Sequence, residues 1–102
     1  MELIVKRKGD ACILAPDGIM DAQGGEKLLE TLREQGTQIK SVILDGVLWF
    51  GVTGEGLDAL AQARESLDSG ISLQLRNINT EIMEILELTE LIYGFEILDT
   101  PI

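Results

Sequence analysis

The sequence predicts an α/β domain in which helices pack against a mixed, largely parallel sheet of about five strands. Three observations carry this. Short apolar runs alternate with stretches of helical period through most of the chain. The run "SVILD" is apolar at three consecutive positions, which suits a strand covered on both faces inside a sheet. The first two apolar runs are separated only by a turn, so a hairpin opens a chain that otherwise alternates. The order is β-β-α-β-α-β-α-β, in a single domain of 102 residues, long enough for a real core.

Each element has its own grounds. "ELIVKR" and "ACILA" read as strands and "KGD" between them as a tight turn. Pro16 is expected to end the second strand, because it has no N–H to give to a ladder. Asp21 suits an N-cap for a helix from about Ala22 to Gln35, with Leu28, Leu29 and Leu32 as its apolar stripe and Gly36 as its stop. The doublet Gly24-Gly25 is poor helix material, which predicts an irregular first turn. Val42, Ile43 and Leu44 should all be buried, and Ile43→Asp should unfold the chain. "GVLWFGV" either extends this strand or connects onward. Leu57, Leu60, Ala61 and Leu67 mark a second helix ending near Gly70. "ISLQLR" alternates as a strand. Asn79 or Thr80 caps a third helix carrying Ile82, Met83, Ile85, Leu86 and Leu88, and "FEILD" forms a last strand.

Eighteen acidic residues against eight basic ones give a net charge of -10, and no basic cluster stands out. That argues against nucleic acid and against an anionic membrane, and fits a basic protein partner. Cys12 is the only cysteine and lies in an apolar run, so a buried, inert thiol is expected. The absence of histidine removes the usual general base and the usual transition-metal ligand. Asp10, Asp17, Asp21 and Asp45 fall near strand ends or turns, without the spacing of a calcium loop. No catalytic residue, metal site or cofactor is expected. With no signal-peptide pattern and no membrane-length apolar run, the expected location is the cytoplasm.

The stretch "WFGVTGEGLDAL" holds three glycines within six residues, ahead of a helical pattern. Backbone N–H groups there could face an anion. The spacing matches neither phosphate fingerprint, no lysine is at hand, and Glu55 adds negative charge. The structural reading explains each residue: Thr53 caps the helix, Glu55 complements its dipole, and Gly56 lets it approach the sheet.

Three stretches, taken in order, resemble STAS domains, the fold of bacterial anti-sigma-factor antagonists. "DGIMDAQGGEKLLETL" is similar to the family's "G-x-L-D" and first helix, with Gly18 and Asp21 matching. "SVILDGVLWFGVTGEGLDAL" is similar to the core strand, linker and "D-S-S-G-L" turn. "ISLQLRNINTEIMEILELTELIYGFEIL" is similar to the strand and helix leading to "L-x-L-T-x-L", with Leu86, Leu88, Thr89 and Leu91 matching. Together they span about Asp17 to Leu98.

The resemblance implies a non-enzymatic binding module of signal transduction and transcription regulation. In its antagonist branch the unmodified domain binds an anti-sigma factor, a GHKL-type kinase that phosphorylates Ser or Thr at the start of helix two. The alternative within the family is an accessory subunit of a phospholipid ABC-type transport complex. A small nucleotide-binding or enzymatic domain is the rival from another class. Matching Gly56-Leu57 without a gap puts Thr53 at the family's Asp and Gly54 at the phosphoacceptor. One inserted residue brings Thr53 onto the acceptor and Val52 onto the Asp. Either way the standard Asp-Ser pair is broken, so the standard phospho-switch is not expected. The expected partner surface is Trp49, Thr53, Gly54, Glu55 and Asp58, with Thr53 as the one possible phosphoacceptor. Phe50 is expected in the core under the helix, while Trp49 is open between an interface anchor and a place in that core. The sequence closes on "DTPI" where many antagonists carry another helix, so the expectation is that dimerisation covers that surface or it stays partly apolar.

Overall fold

The computed structural model describes residues 1–35 and 38–98. Among these the chain forms six strands, three α-helices and one 3-10 turn. Strands β1 (Glu2–Lys8) and β2 (Ala11–Met20) make the opening antiparallel hairpin, paired from Glu2↔Asp17 to Lys8↔Ala11. Gly9 closes it with φ of +63°, a conformation that favours glycine. Helix α1 (Ala22–Gln35) follows, then β3 (Ser41–Asp45), β4 (Trp49–Val52), α2 (Gly54–Ser66), β5 (Ser72–Arg76), α3 (Thr80–Leu88), the 3-10 turn Leu91–Gly94 and β6 (Glu96–Leu98). Gly36 and the "DTPI" end, on which expectations also rested, lie outside the described residues.

The sheet order is β1-β2-β3-β5-β6, with β3 in the middle and every pair except β1-β2 parallel. The sequence predicted about five strands. The sixth is β4, which the run "GVLWFGV" forms on its own: the chain leaves β3 through Gly46–Leu48 and pairs with the far end of β2, Gly18↔Trp49 to Met20↔Val52. Pro16 does not end β2, contrary to expectation. It lies between the last β3 pair at Leu14 and the first β4 pair at Gly18, where the ladder is already interrupted and a missing N–H costs no bond on that side.

The helices bury their apolar residues in one cluster with one face of the sheet. Leu28 and Leu32 of α1, Leu60 and Ala63 of α2, and Ile82 and Leu86 of α3 pack with Cys12, Leu14, Val42, Leu44, Leu73 and Leu75. Ile13 and Ile43 are buried but lie outside this cluster, on the opposite face. Val42, Ile43 and Leu44 are thus all buried, as "SVILD" predicted, although helices cover only one side. Ile43 is shielded laterally by its row neighbours Ile13 and Gln74.

Small residues set the helix positions. A Cβ on Gly25 would stand 2.5 Å from the Ala59 Cβ, so α1 and α2 touch nearly backbone to backbone. The Gly24-Gly25 doublet therefore serves packing inside a regular helix rather than making its first turn irregular. Helix α2 ends at Ser66, short of the expected Gly70, and buries Gly56, Ala59, Leu60 and Ala63 rather than a leucine stripe. Leu88 of α3 is 83% exposed, because Ile82 and Leu86 already fill the face toward the core.

All three N-caps read from the sequence form. Asn79 Oδ1 accepts from the Ile82 N–H at 2.9 Å, Thr53 Oγ1 from the Gly56 N–H at 3.2 Å, and Asp21 Oδ1 from the Gly24 N–H at 2.9 Å. The Gly24 bond is the main reason the Asp21 carboxyl titrates below its ordinary value. A depressed folded pKa contributes stability above the unfolded pKa that is lost as pH falls through the folded one. Asp21→Asn keeps an accepting oxygen and removes the titration. On acidification below the ordinary aspartate range, the parent Tm is expected to fall more steeply than the variant's. Parallel Tm curves would remove Asp21 from the acid response. Burial pushes the Cys12 thiol up, with the Arg7 charge opposing, as suits an inert core cysteine.

Candidate functional site

The start of α2 is built on the last residues of β2 and β4. Thr53 leaves β4 extended, and its N–H donates to the Met20 carbonyl at 2.9 Å. Its hydroxyl accepts from Gly56 and contacts the same Met20 carbonyl at 3.5 Å. A Cβ on Gly56 would run into that carbonyl oxygen, so the glycine is what lets the helix start against the strand. Gly54 is the reverse case: it is exposed, and a Cβ there would meet nothing within 4 Å.

Glu55 and Asp58 project from the first turns of α2 into a groove between α1 and α2 of about 320 Å³. Glu26 lines its other wall, with Ala22, Leu29 and Ala59 as the apolar part. Three carboxylates thus share one groove whose width is set by the Gly25–Ala59 approach. The sequence reading missed Glu26, which looked like ordinary wet surface on α1. The signal that could have found it was the glycine doublet, since close helix contact brings the flanking charges of both helices together.

The structure buries Trp49, offered as a surface residue, and exposes Phe50, which was expected in the core. Trp49 is 1% exposed, and its Nε1 donates to the Gly51 carbonyl at 2.9 Å. It belongs to the core under α2 and α3, so it presents no surface to a partner. Phe50 is 63% exposed. The register explains both placements: Gly18 pairs with Trp49 and Ile19 with Gly51, leaving Phe50 as an unpaired bulge residue turned to solvent. It lies beside Asn79, Thr80 and Glu81 at the start of α3, where the Asn79 side chain also donates to the Trp49 carbonyl at 2.8 Å. Ile19 is exposed as well and lies against Gly51. The structure therefore groups Thr53, Gly54, Glu55 and Asp58 at one end of α2, adds Glu26, and removes Trp49 from the surface.

This arrangement offers binding contacts. The Gly56 N–H that could face an anion is taken by Thr53, and Glu55 stands beside it. Among the described residues no group of three His, Cys, Asp or Glu is placed to hold a metal ion. Among them too, no helix is long and apolar enough to cross a membrane.

Neither a protein-family model nor a curated protein matches the chain. Solved structures do. A Thermotoga maritima protein proposed to be an anti-sigma factor antagonist superposes with a TM-score of 0.83 at 19% identity, over 96% of this chain and 86% of that one. An anti-sigma factor antagonist from Mycobacterium paratuberculosis gives 0.82 at 17% identity, over 97% and 86%. The antagonist SpoIIAA in its unphosphorylated form gives 0.71 at 14% identity, over 98% and 90%. The chain has the STAS fold of these proteins, as the order of its elements and its three motif stretches predicted.

Proposed function

We propose that this chain is a non-enzymatic protein-interaction module that binds a basic face of a regulatory partner through the first turns of α2 and the groove beside them. The observation that carries the reading is the convergence of Glu26, Glu55 and Asp58 on one groove, in a fold shared with anti-sigma-factor antagonists. The partner class implied is an anti-sigma factor, a kinase of the GHKL type. Opposite charge on the two surfaces would speed encounter and make association salt-sensitive.

The same geometry argues against the standard phospho-switch. Gly54 has no hydroxyl. The Thr53 hydroxyl is committed to capping α2, worth about 1 kcal/mol, and a phosphate on it would stand against Glu55.

The charge of the groove provides a test. Glu55→Lys with Asp58→Lys is expected to abolish capture of the partner from an extract of the source organism. The Tm should shift little, since exposed charges contribute roughly 0–1 kcal/mol each. Retention of the same proteins by parent and variant would mean that the acidic groove is not the contact.

A further inference from the structure

Strand β1 is an outer edge of the sheet, with β2 on one side and, among the described residues, no strand on the other. It is long for an edge: seven residues in unbroken register with β2, without proline or bulge. The opposite edge, β6, has three residues, and short edge strands are poor templates. Every residue of β1 except Leu3 is exposed, including the aliphatic Ile4 and Val5 at 39% and 42%. Outward N–H and C=O groups beside exposed aliphatic side chains are a template for a further strand.

The strand sequence "ELIVKRK" is complementary to its own reverse. Facing residues of an antiparallel pair share a face of the sheet. A two-fold axis normal to the sheet preserves that face, so it must pass through a residue. An axis at Val5 pairs all seven residues. Glu2 then faces Lys8 of the second copy, Leu3 faces its Arg7, Ile4 its Lys6, and Val5 its Val5. The stems of Lys6 and Arg7 lie along Ile4 and Leu3 with their charged ends in water. An axis at Lys6 would set two ammonium groups face to face. One at Ile4 would pair only Glu2 to Lys6 and carry Arg7 and Lys8 past the end of the other strand.

The hairpin itself supplies a second reason. Glu2 stands directly opposite Asp17 of β2, an unfavourable pair of like charges, while Lys8 stands opposite Ala11. In the paired arrangement Lys8 of the second copy joins the Asp17–Glu2 row, at both ends of the joined strands. We infer that two copies of this chain associate edge to edge through β1, about a two-fold axis at Val5, into one continuous sheet with both helix layers on the same side. None of these residues belongs to the start of α2, so the inference stands apart from the partner site.

Sedimentation equilibrium from about 10 μM to about 1 mM, where weak contacts register, should show the mass average of the parent rising to a plateau at the dimer. Lys8→Glu sets carboxylate against carboxylate at both ends of the pair, and Glu2→Lys sets ammonium against ammonium. Each should weaken association by about tenfold or more, with unchanged circular dichroism. Mixed together, the two variants should regain a one-to-one pair, because each then meets the opposite charge at both ends. Disulfide formation reads the register. Val5→Cys places two thiols across the axis with Cα atoms about 5 Å apart, within bridging range. Ile4→Cys places them about 8 Å apart, beyond it. Cys12 is buried and does not compete. Mild oxidation should therefore give a covalent dimer from Val5→Cys and none from Ile4→Cys. A parent that stays monomeric or climbs past the dimer, charge variants that pair as well as the parent, a mixture that stays monomeric, or a bridge at position 4 rather than 5 would each overturn the inference.

Discussion

Leu44→Asp is expected to leave the chain without a cooperative thermal transition, while Ile43→Asp, one residue away, still melts. Both positions are buried, at 1% and 7% exposure, and by sequence pattern they are equivalent. They differ in what covers them. Leu44 faces the cluster filled by α1, α2 and α3, where a carboxylate finds neither water nor a partner. An unpaired buried charge costs about 3–5 kcal/mol beyond the lost packing, against a typical domain stability of about 5–15 kcal/mol. Ile43 faces the helix-free side, where a carboxylate can turn outward to water. The sequence reading expected Ile43→Asp to unfold the chain, because it took both faces of β3 to be covered alike. Differential scanning calorimetry of the two variants separates the two readings. Equal loss in both would restore the two-sided view.

The second large effect concerns glycine. Gly56→Ala is expected to destabilise the domain by about 1–3 kcal/mol or more, although alanine is the better helix former by about 1 kcal/mol. The added Cβ meets the Met20 carbonyl and the Val52 side chain, and the carbonyl is backbone that cannot step aside. The helix must lift, and the Thr53 cap lifts with it. Gly54→Ala is the control two residues earlier. Its Cβ enters open space, so the sign reverses or vanishes. Urea denaturation of both variants reads the difference. A neutral Gly56→Ala would mean that α2 does not rest on β2 as closely as described.

The caps and the central strand were legible in the sequence because they depend on local chemistry. Asp21, Thr53 and Asn79 are short side chains with an oxygen placed before a helical pattern, and each makes its bond within three residues. The misread positions depend on contacts distant in sequence. Pro16 looked like a stop because nothing local reveals that β3 departs at Leu14 and β4 arrives only at Gly18. Phe50 was misread and Trp49 left open because a bulge, set by pairing with β2, decides which of two adjacent aromatics turns inward. Glu26 escaped notice for the same reason: its partners Glu55 and Asp58 lie on another helix. Thr53, Gly54, Glu55 and Asp58 are grouped by sequence alone, whereas Glu26 joins their groove only through packing.

The central claim is that the first turn of α2 is where this domain meets its partner. It is tested most directly by placing a photo-crosslinking amino acid at Gly54, where space is open, and for comparison at Glu65, exposed near the other end of the same helix. The two positions are separated by about 16 Å of helix at 1.5 Å per residue. Irradiation in cells of the source organism is expected to give one dominant covalent adduct from position 54 and none from position 65. An adduct from position 65 and none from 54, or the same adducts from both, would contradict the account.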